Sequence, residues 1–173
     1  MKNKIVVSDT NIFLDLISID LLDRFFELPF KVYTTDFIIN EITIPEQKEK
    51  IDFHTDCKDI EVVSFNPNDF MEISDLQVNS QTNVSIPDCS VWYYAKKTDS
   101  LMLTGDAKLR RVAENDNVKV SGILFIFDNF VEFNVISVIN AAKKLEQLQE
   151  INPRLPKGEC EKRIKLWKGE NSV

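Results

Sequence analysis

The chain has 173 residues, 43% of them apolar and 28% charged, with a formal net charge of −7. That length suits one well-packed α/β domain and is short for two, and no apolar run approaches the roughly 20 residues that span a bilayer. Three cysteines, Cys57, Cys89 and Cys160, are an odd number without paired spacing, which argues against a disulfide framework and against a zinc site. The start Met1-Lys2-Asn3-Lys4 is basic, but the apolar stretch after it ends at Ser8-Asp9, too soon for a signal peptide, so a cytoplasmic location with reduced thiols is expected. Residues 1–86 hold 7 basic and 16 acidic side chains (−9), and residues 87–173 hold 14 and 12 (+2). A nucleic-acid surface would therefore draw on the second half, and loose, sequence-blind binding to long nucleic acid is disfavoured.

Taken in order, Lys4 to Ser8 is a β-branched run that predicts a buried strand, and Asp9-Thr10-Asn11 opens an amphipathic helix. A second helix is expected over Asp20 to Leu28, stopped by Pro29, then a strand over Lys31 to Thr34. Thr35-Asp36 caps the helix that carries Glu41, Pro45 ends it, and the charged stretch from Glu46 to Lys58 shows at most a one-faced helical pattern. Ile60 to Phe65 reads as a third strand, Asn66-Pro67-Asn68-Asp69 as a helix start, and Gln77 to Asn83 as a polar loop. Ser85-Ile86-Pro87-Asp88 starts the next helix, Leu101 to Leu103 is a strand, and Asp106 opens a helix through Ala113. A short fifth strand holds Lys119 and Val120, Gly122 begins a further helix, and Val135 to Leu148 is amphipathic. Pro153 and Pro156 then precede a basic helix with Arg163, Lys165, Trp167 and Lys168, so residues 1–150 read as the domain and 151–173 as a basic helical tail.

Four carboxylates stand where helices should place apolar side chains. At helical spacing Asp9 shares a face with Ile12, Phe13 and Leu16; Glu41 with Ile38 and Ile42; Asp88 with Val91, Trp92 and Ala95; and Asp106 with Leu109 and Ala113. An ionised carboxylate withdrawn from water costs several kcal/mol unless a cation meets it, so four inward acids point to a divalent metal and to phosphodiester chemistry. Strands alternating with helices call for a parallel sheet, whose ligands bind beyond the carboxyl ends of the strands where strand order reverses. Asp9 and Asp106 both follow strand ends, so neighbouring strands there would set these acids face to face, with Glu41 and Asp88 closing the crevice. Each acid alone has an ordinary reading, as a helix cap for Asp9, Asp88 or Asp106 and as a surface residue for Glu41.

The ordered set Ile5-Val6-Val7-Ser8-Asp9-Thr10-Asn11, Glu41, Pro87-Asp88 and Leu103-Thr104-Gly105-Asp106 with Leu109, followed by Val118-Lys119-Val120-Ser121-Gly122-Ile123-Leu124, resembles the PIN-domain nucleases and among them the VapC-like toxins. The resemblance covers residues 4–150. It implies a three-layer α/β/α fold with a five-stranded parallel sheet in the order 3-2-1-4-5, and a Mg²⁺- or Mn²⁺-dependent endoribonuclease leaving a 5′-phosphate and a 3′-hydroxyl. Asp9, Asp88 and Asp106 would be metal ligands, Glu41 would hold a second metal or orient the attacking water, and Asn11 and Thr104 would hydrogen-bond the acids. An RNA substrate, a cognate antitoxin and a homodimer are implied partners, without a membrane. The closely spaced Phe125, Phe127, Phe130 and Phe133 exceed what one helix face can bury, which is consistent with self-association or with a helix buried on two sides.

Further candidates carry blander readings. Asp15 is expected as an exposed helix acid, His54 as a solvent-exposed connector residue, and Cys89 as a packing residue with no nearby histidine to activate it. Lys108, Arg110 and Arg111 either meet RNA phosphate or form a solvated helix face. Haloacid-dehalogenase-type phosphatases also begin with an apolar strand and an Asp, but they need a second Asp where this chain has Asn11. A PIN-like module that only binds RNA or protein is the non-enzymatic alternative.

Overall fold

Ile5, Val6 and Val7 favour extended backbone, and a parallel sheet covered on both faces gives such a run two apolar environments. They form β1 (Lys4–Ser8), in which Val6 and Val7 have no solvent exposure. The computed structural model describes residues 4–170; residues 1–3, with Lys2 of the basic start, and residues 171–173 at the end of the basic tail lie outside the described residues.

β1 pairs in parallel with β2 (Phe30–Thr35) and with β4 (Leu101–Leu103). β3 (Ile60–Val63) extends the sheet beyond β2, and β5 (Val120–Ser121) extends it beyond β4, giving the order 3-2-1-4-5. The order reverses between β1 and β4, where Ser8 lies opposite Leu103 and the Asp9 N–H donates to the Leu103 carbonyl at 3.1 Å. The chain thus leaves these two paired strands toward opposite helical layers, α1 and α7, at the place where the two strand-terminal acids begin.

Helices cover both faces. α6 (Ile86–Lys97) packs on β1, β2 and β4 and against α3 (Asp36–Glu41), α5 (Pro67–Asn79) and α7 (Ala107–Asn115). The other layer joins α1 (Thr10–Ser18), the short α2 (Leu22–Phe25), α8 (Ile123–Glu132) and α9 (Val138–Ile151). α10 (Lys157–Lys168) packs on α9, with Trp167 stacked on Phe127 and the Arg163 guanidinium forked onto the Asp128 carboxylate at 2.8 Å through both Nε and Nη2.

Several local expectations change. Pro45 opens a helix, α4 (Pro45–Asp56), because proline at a first helical position gives up an N–H that would have no partner there. α5 continues through Asn79 into the expected polar loop, and the expected helix over residues 20–28 shrinks to α2. The phenylalanine-rich segment is core: Phe127 and Phe130 have no exposure and Phe125 stacks on Phe30, leaving Phe133 exposed. Most of that segment is therefore core, and of its four phenylalanines Phe133 is the one left exposed.

His54 is the clearest reversal. It is buried, not solvent-exposed: Nδ1 lies 2.8 Å from Asp59 Oδ2, Nε2 lies 2.8 Å from Asp23 Oδ1, and the ring sits 4.3 Å from that of Phe26. It ties α4 to α2 and to the approach of β3. Removing the ring leaves a void and two carboxylates without their partner, so His54→Ala should cost roughly 2 kcal/mol, read as a lower urea midpoint. An unchanged midpoint would contradict this role.

Candidate active site

Asp9 is the N-cap of α1. It directly follows β1, which places the carboxylate beyond the paired ends of β1 and β4, where it is 1% exposed. One oxygen accepts the Ile12 N–H at 3.2 Å, and the other accepts the hydroxyl of the fully buried Thr104. Thr104 comes from the end of β4, and its hydroxyl oxygen also takes the Asp106 N–H at 3.0 Å. A single threonine thus couples the acids that follow the two central strands.

Asp106 caps α7, its Oδ1 accepting the Leu109 N–H at 2.8 Å. Asp88 is the third residue of α6 and shares a reciprocal capping box with Ser85: the Asp88 N–H meets the Ser85 hydroxyl at 3.2 Å, and the Ser85 N–H meets Asp88 Oδ2 at 3.4 Å. Both carboxylates are half-buried, and each leaves one oxygen without a hydrogen bond among the described residues. Capping and site duty are therefore compatible in these groups, because one oxygen serves each. Glu41 differs from the expected core-facing acid. It ends the six-residue α3 and is exposed, steered by the Thr10 hydroxyl, which donates to Oε2 at 2.7 Å.

The four acids form one electrostatic group. Burial pushes the Asp9 carboxyl up to about 7, with Asp88 and Asp106 adding to the rise and the bonds from Thr104 and Ile12 opposing it. Burial also raises Asp88, and both Asp106 and Glu41 push it further. Among the described residues no three His, Cys, Asp or Glu side chains converge into a ready-made cage. The donor set still fits a small hard cation, which takes carboxylate oxygens one or two at a time and keeps several waters, and the raised Asp9 marks a deficit of positive charge. Asp9, Asp88 and Asp106 are the groups that could hold it, with Glu41 at the rim.

Of the remaining expected residues, Thr104 bonds directly to Asp9, whereas Asn11 is half-buried and its side chain makes no hydrogen bond among the described residues. Thr10 and Ser85, expected above only as parts of helix starts, also bond the acids: Thr10, next to Asp9, reaches the distant Glu41, and Ser85 bonds Asp88 three residues on. Buried Thr35 and Ser90 share a 2.7 Å hydrogen bond that fastens the start of α3 to α6, and so Glu41 to Asp88. Asp15 is half-buried, bound by the Asn152 amide, and burial raises its carboxyl. Burial first and Asp88 second push the Cys89 thiol up to about 12, which leaves it protonated and without nucleophilic character.

A carboxyl raised from 3.8 to about 7 binds its proton more tightly in the folded chain, so its contribution to stability is full below about pH 4 and is lost as pH rises through 7. In chelator, the parent should lose about 4 kcal/mol from this group between pH 4 and 8, with Asp88 acting in the same direction. Asp9→Asn should flatten that dependence and be the more stable protein at pH 8, as followed by urea unfolding. Parallel pH curves for the two proteins would contradict the assignment.

Comparison with known proteins agrees with this architecture. The DUF3368 family model, described as a PIN domain, matches residues 5–169. A crystal structure of PAE2754 from Pyrobaculum aerophilum is similar at a TM-score of 0.52 and 12% identity, over 71% of this chain and 93% of that one. VapBC2 from Rickettsia felis bound to a DNA fragment from its promoter gives 0.49 and 12% over 68% and 98%, and FitAcB from Neisseria gonorrhoeae gives 0.43 and 14% over 66% and 95%. The first score marks a shared fold, and the lower two add nothing to it. No curated protein matches the chain. With a family match over nearly the whole length and a parallel sheet in the order 3-2-1-4-5, the chain belongs to the PIN-domain family.

Proposed function

We propose that the chain is a metal-dependent endoribonuclease, hydrolysing RNA phosphodiester bonds with Mg²⁺ or Mn²⁺ at Asp9, Asp88, Asp106 and Glu41, and that it is the toxin of a toxin–antitoxin pair. The observation that carries this reading is the buried Asp9, raised to about 7 beside Asp88 and Asp106 at the switch point of a parallel sheet. Family membership supports nuclease chemistry. The antitoxin and a second copy of the chain enter through the likeness of the ordered motifs to VapC-like toxins.

Asp9 is held by Ile12 and Thr104 in one rotamer, so little reorganisation opposes cation capture there. Asp106 and Asp88 each spend one oxygen on a helix start and present the other. When bound, the cation supplies the charge that makes water a nucleophile near neutral pH and offsets charge developing on the phosphate. Glu41, exposed and aimed by Thr10, orients the attacking water and accepts its proton.

Two measurements test this. Calorimetric titration with Mn²⁺ should show binding that Asp9→Asn or Asp88→Asn weakens sharply, and equal affinity in all three proteins would count against the site. Purified protein should cleave single-stranded RNA only with Mg²⁺ or Mn²⁺, chelator should stop it, and Asp106→Asn should lower the rate at least ~100-fold. Cleavage surviving both chelation and Asp106→Asn defeats the reading. Cation binding without cleavage of any RNA assigns the chain to the RNA- or protein-binding alternative.

A further inference from the structure

Beside the acids lies a cleft of ≈ 260 Å³ whose lining includes Asp15, Thr104, Gly105, Arg110, Asn152 and Arg154. Thr104 belongs to both places, since its hydroxyl bonds Asp9, and Gly105 links it to Asp106. A ligand in the cleft is therefore continuous with the acid group. The character of the two places differs: carboxylates alone on one side of Thr104, and on the other two guanidinium groups beside the single Asp15 carboxylate, which the Asn152 amide holds.

Arg154 is placed through its backbone and Arg110 by two long side-chain contacts. Asn152 donates its amide to both oxygens of Asp15, at 3.3 and 3.2 Å, and its own side-chain oxygen accepts the backbone N–H of Arg154 at 3.1 Å. The connection between α9 and α10 is thereby pinned to α1, with Arg154 exposed on the cleft and in no salt bridge among the described residues. Arg110 is held loosely, with Nη1 3.4 Å from Glu114 Oε1 and 3.5 Å from the Val120 carbonyl, so most of its donors stay available. Gly122 makes its approach feasible, because a Cβ there would lie 3.2 Å from Arg110 Nη2 and 3.3 Å from the Thr104 carbonyl. Gly122 also begins α8 without a side-chain cap, and Ile123 and Leu124 of that first turn line the same cleft. Two guanidinium groups from separate elements outnumber the one cleft carboxylate, Asp15, which Arg154 faces, and with an uncapped helix start they favour an anion; a phosphate accepts such donors in pairs.

We propose that this cleft seats a phosphate of the RNA strand adjacent to the one that is cut, with Arg154 and Arg110 as its positioning residues. This rests on the nuclease reading. The seat fixes the strand so that the scissile phosphate falls at the acids, and Asn152 and Asp15 serve by holding Arg154 in place.

The test uses a short single-stranded RNA cut at one position, and versions in which one linkage flanking the cut is a neutral methylphosphonate. For the parent protein one such version should raise KM about 10-fold with kcat little changed. Arg154→Ala should show the raised KM already with the all-phosphate RNA and no further loss with the neutral linkage, and Arg154→Lys should recover part of it. Asn152→Ala should fall between the parent and Arg154→Ala. Equal loss from the neutral linkage in the parent and in Arg154→Ala overturns the seat while leaving the nuclease reading intact. If no RNA is cut, that reading fails by itself, and anisotropy with the same oligonucleotides in chelator decides the seat: binding that is indifferent to Arg154→Ala overturns it.

Discussion

The organisation of this protein depends on one buried carboxylate. Asp9 ends the central strand of a parallel sheet, starts a helix, and is withdrawn from water beside two other acids. Burial of that kind is unfavourable unless a proton or a cation compensates it, and near neutral pH the folded chain is poised between the two. Thr104 and the Ile12 N–H soften the penalty and fix the carboxylate. The switch point beyond the paired ends of β1 and β4 sets its position, and α6 and α3 carry Asp88 and Glu41.

Stability and function pull apart here. A neutral residue at position 9 would relieve repulsion among the acids, yet charge is what a divalent cation requires. The surrounding structure holds the arrangement by other means: a continuous apolar core from Val6 and Val7 through Phe127 and Phe130, the buried His54 bridge, and the Arg163 fork onto Asp128. A charge-rich centre inside a well-packed frame suits the proposed phosphate chemistry.

Much of this was legible in the residues. The β-branched run before Asp9 and the apolar Leu101 to Leu103 before Asp106 gave two strand-terminal acids, and strand–helix alternation set the parallel sheet and its open point. What stayed hidden depended on partners distant in the chain. His54 appeared as a charged-connector residue because its partners Asp23 and Asp59 and its neighbour Phe26 are assembled by folding. Glu41 appeared core-facing because periodicity does not reveal that α3 stops at that residue, where the helix end meets solvent. Asp15 was read as exposed for the same reason: Asn152, more than a hundred positions away, closes over it. The phenylalanines around α8 looked surplus to one face; the sheet-side contact of Phe125 with Phe30 and the α10 contact of Phe127 with Trp167 explain two of them, and Phe133 stays exposed.

The central claim is that burial and the neighbouring acids displace the Asp9 carboxyl, and that the cation proposed above would reverse the displacement. Side-chain carboxyl NMR of ¹³C-labelled protein, titrated with pH in chelator and again in excess Mg²⁺, reads it directly. The account predicts an Asp9 titration near about 7 in chelator that moves down by more than one unit in Mg²⁺, while Asp106→Asn lowers the value in chelator by removing a neighbouring charge. An Asp9 that titrates in the ordinary carboxylate range, or whose titration is indifferent to Mg²⁺, would contradict it.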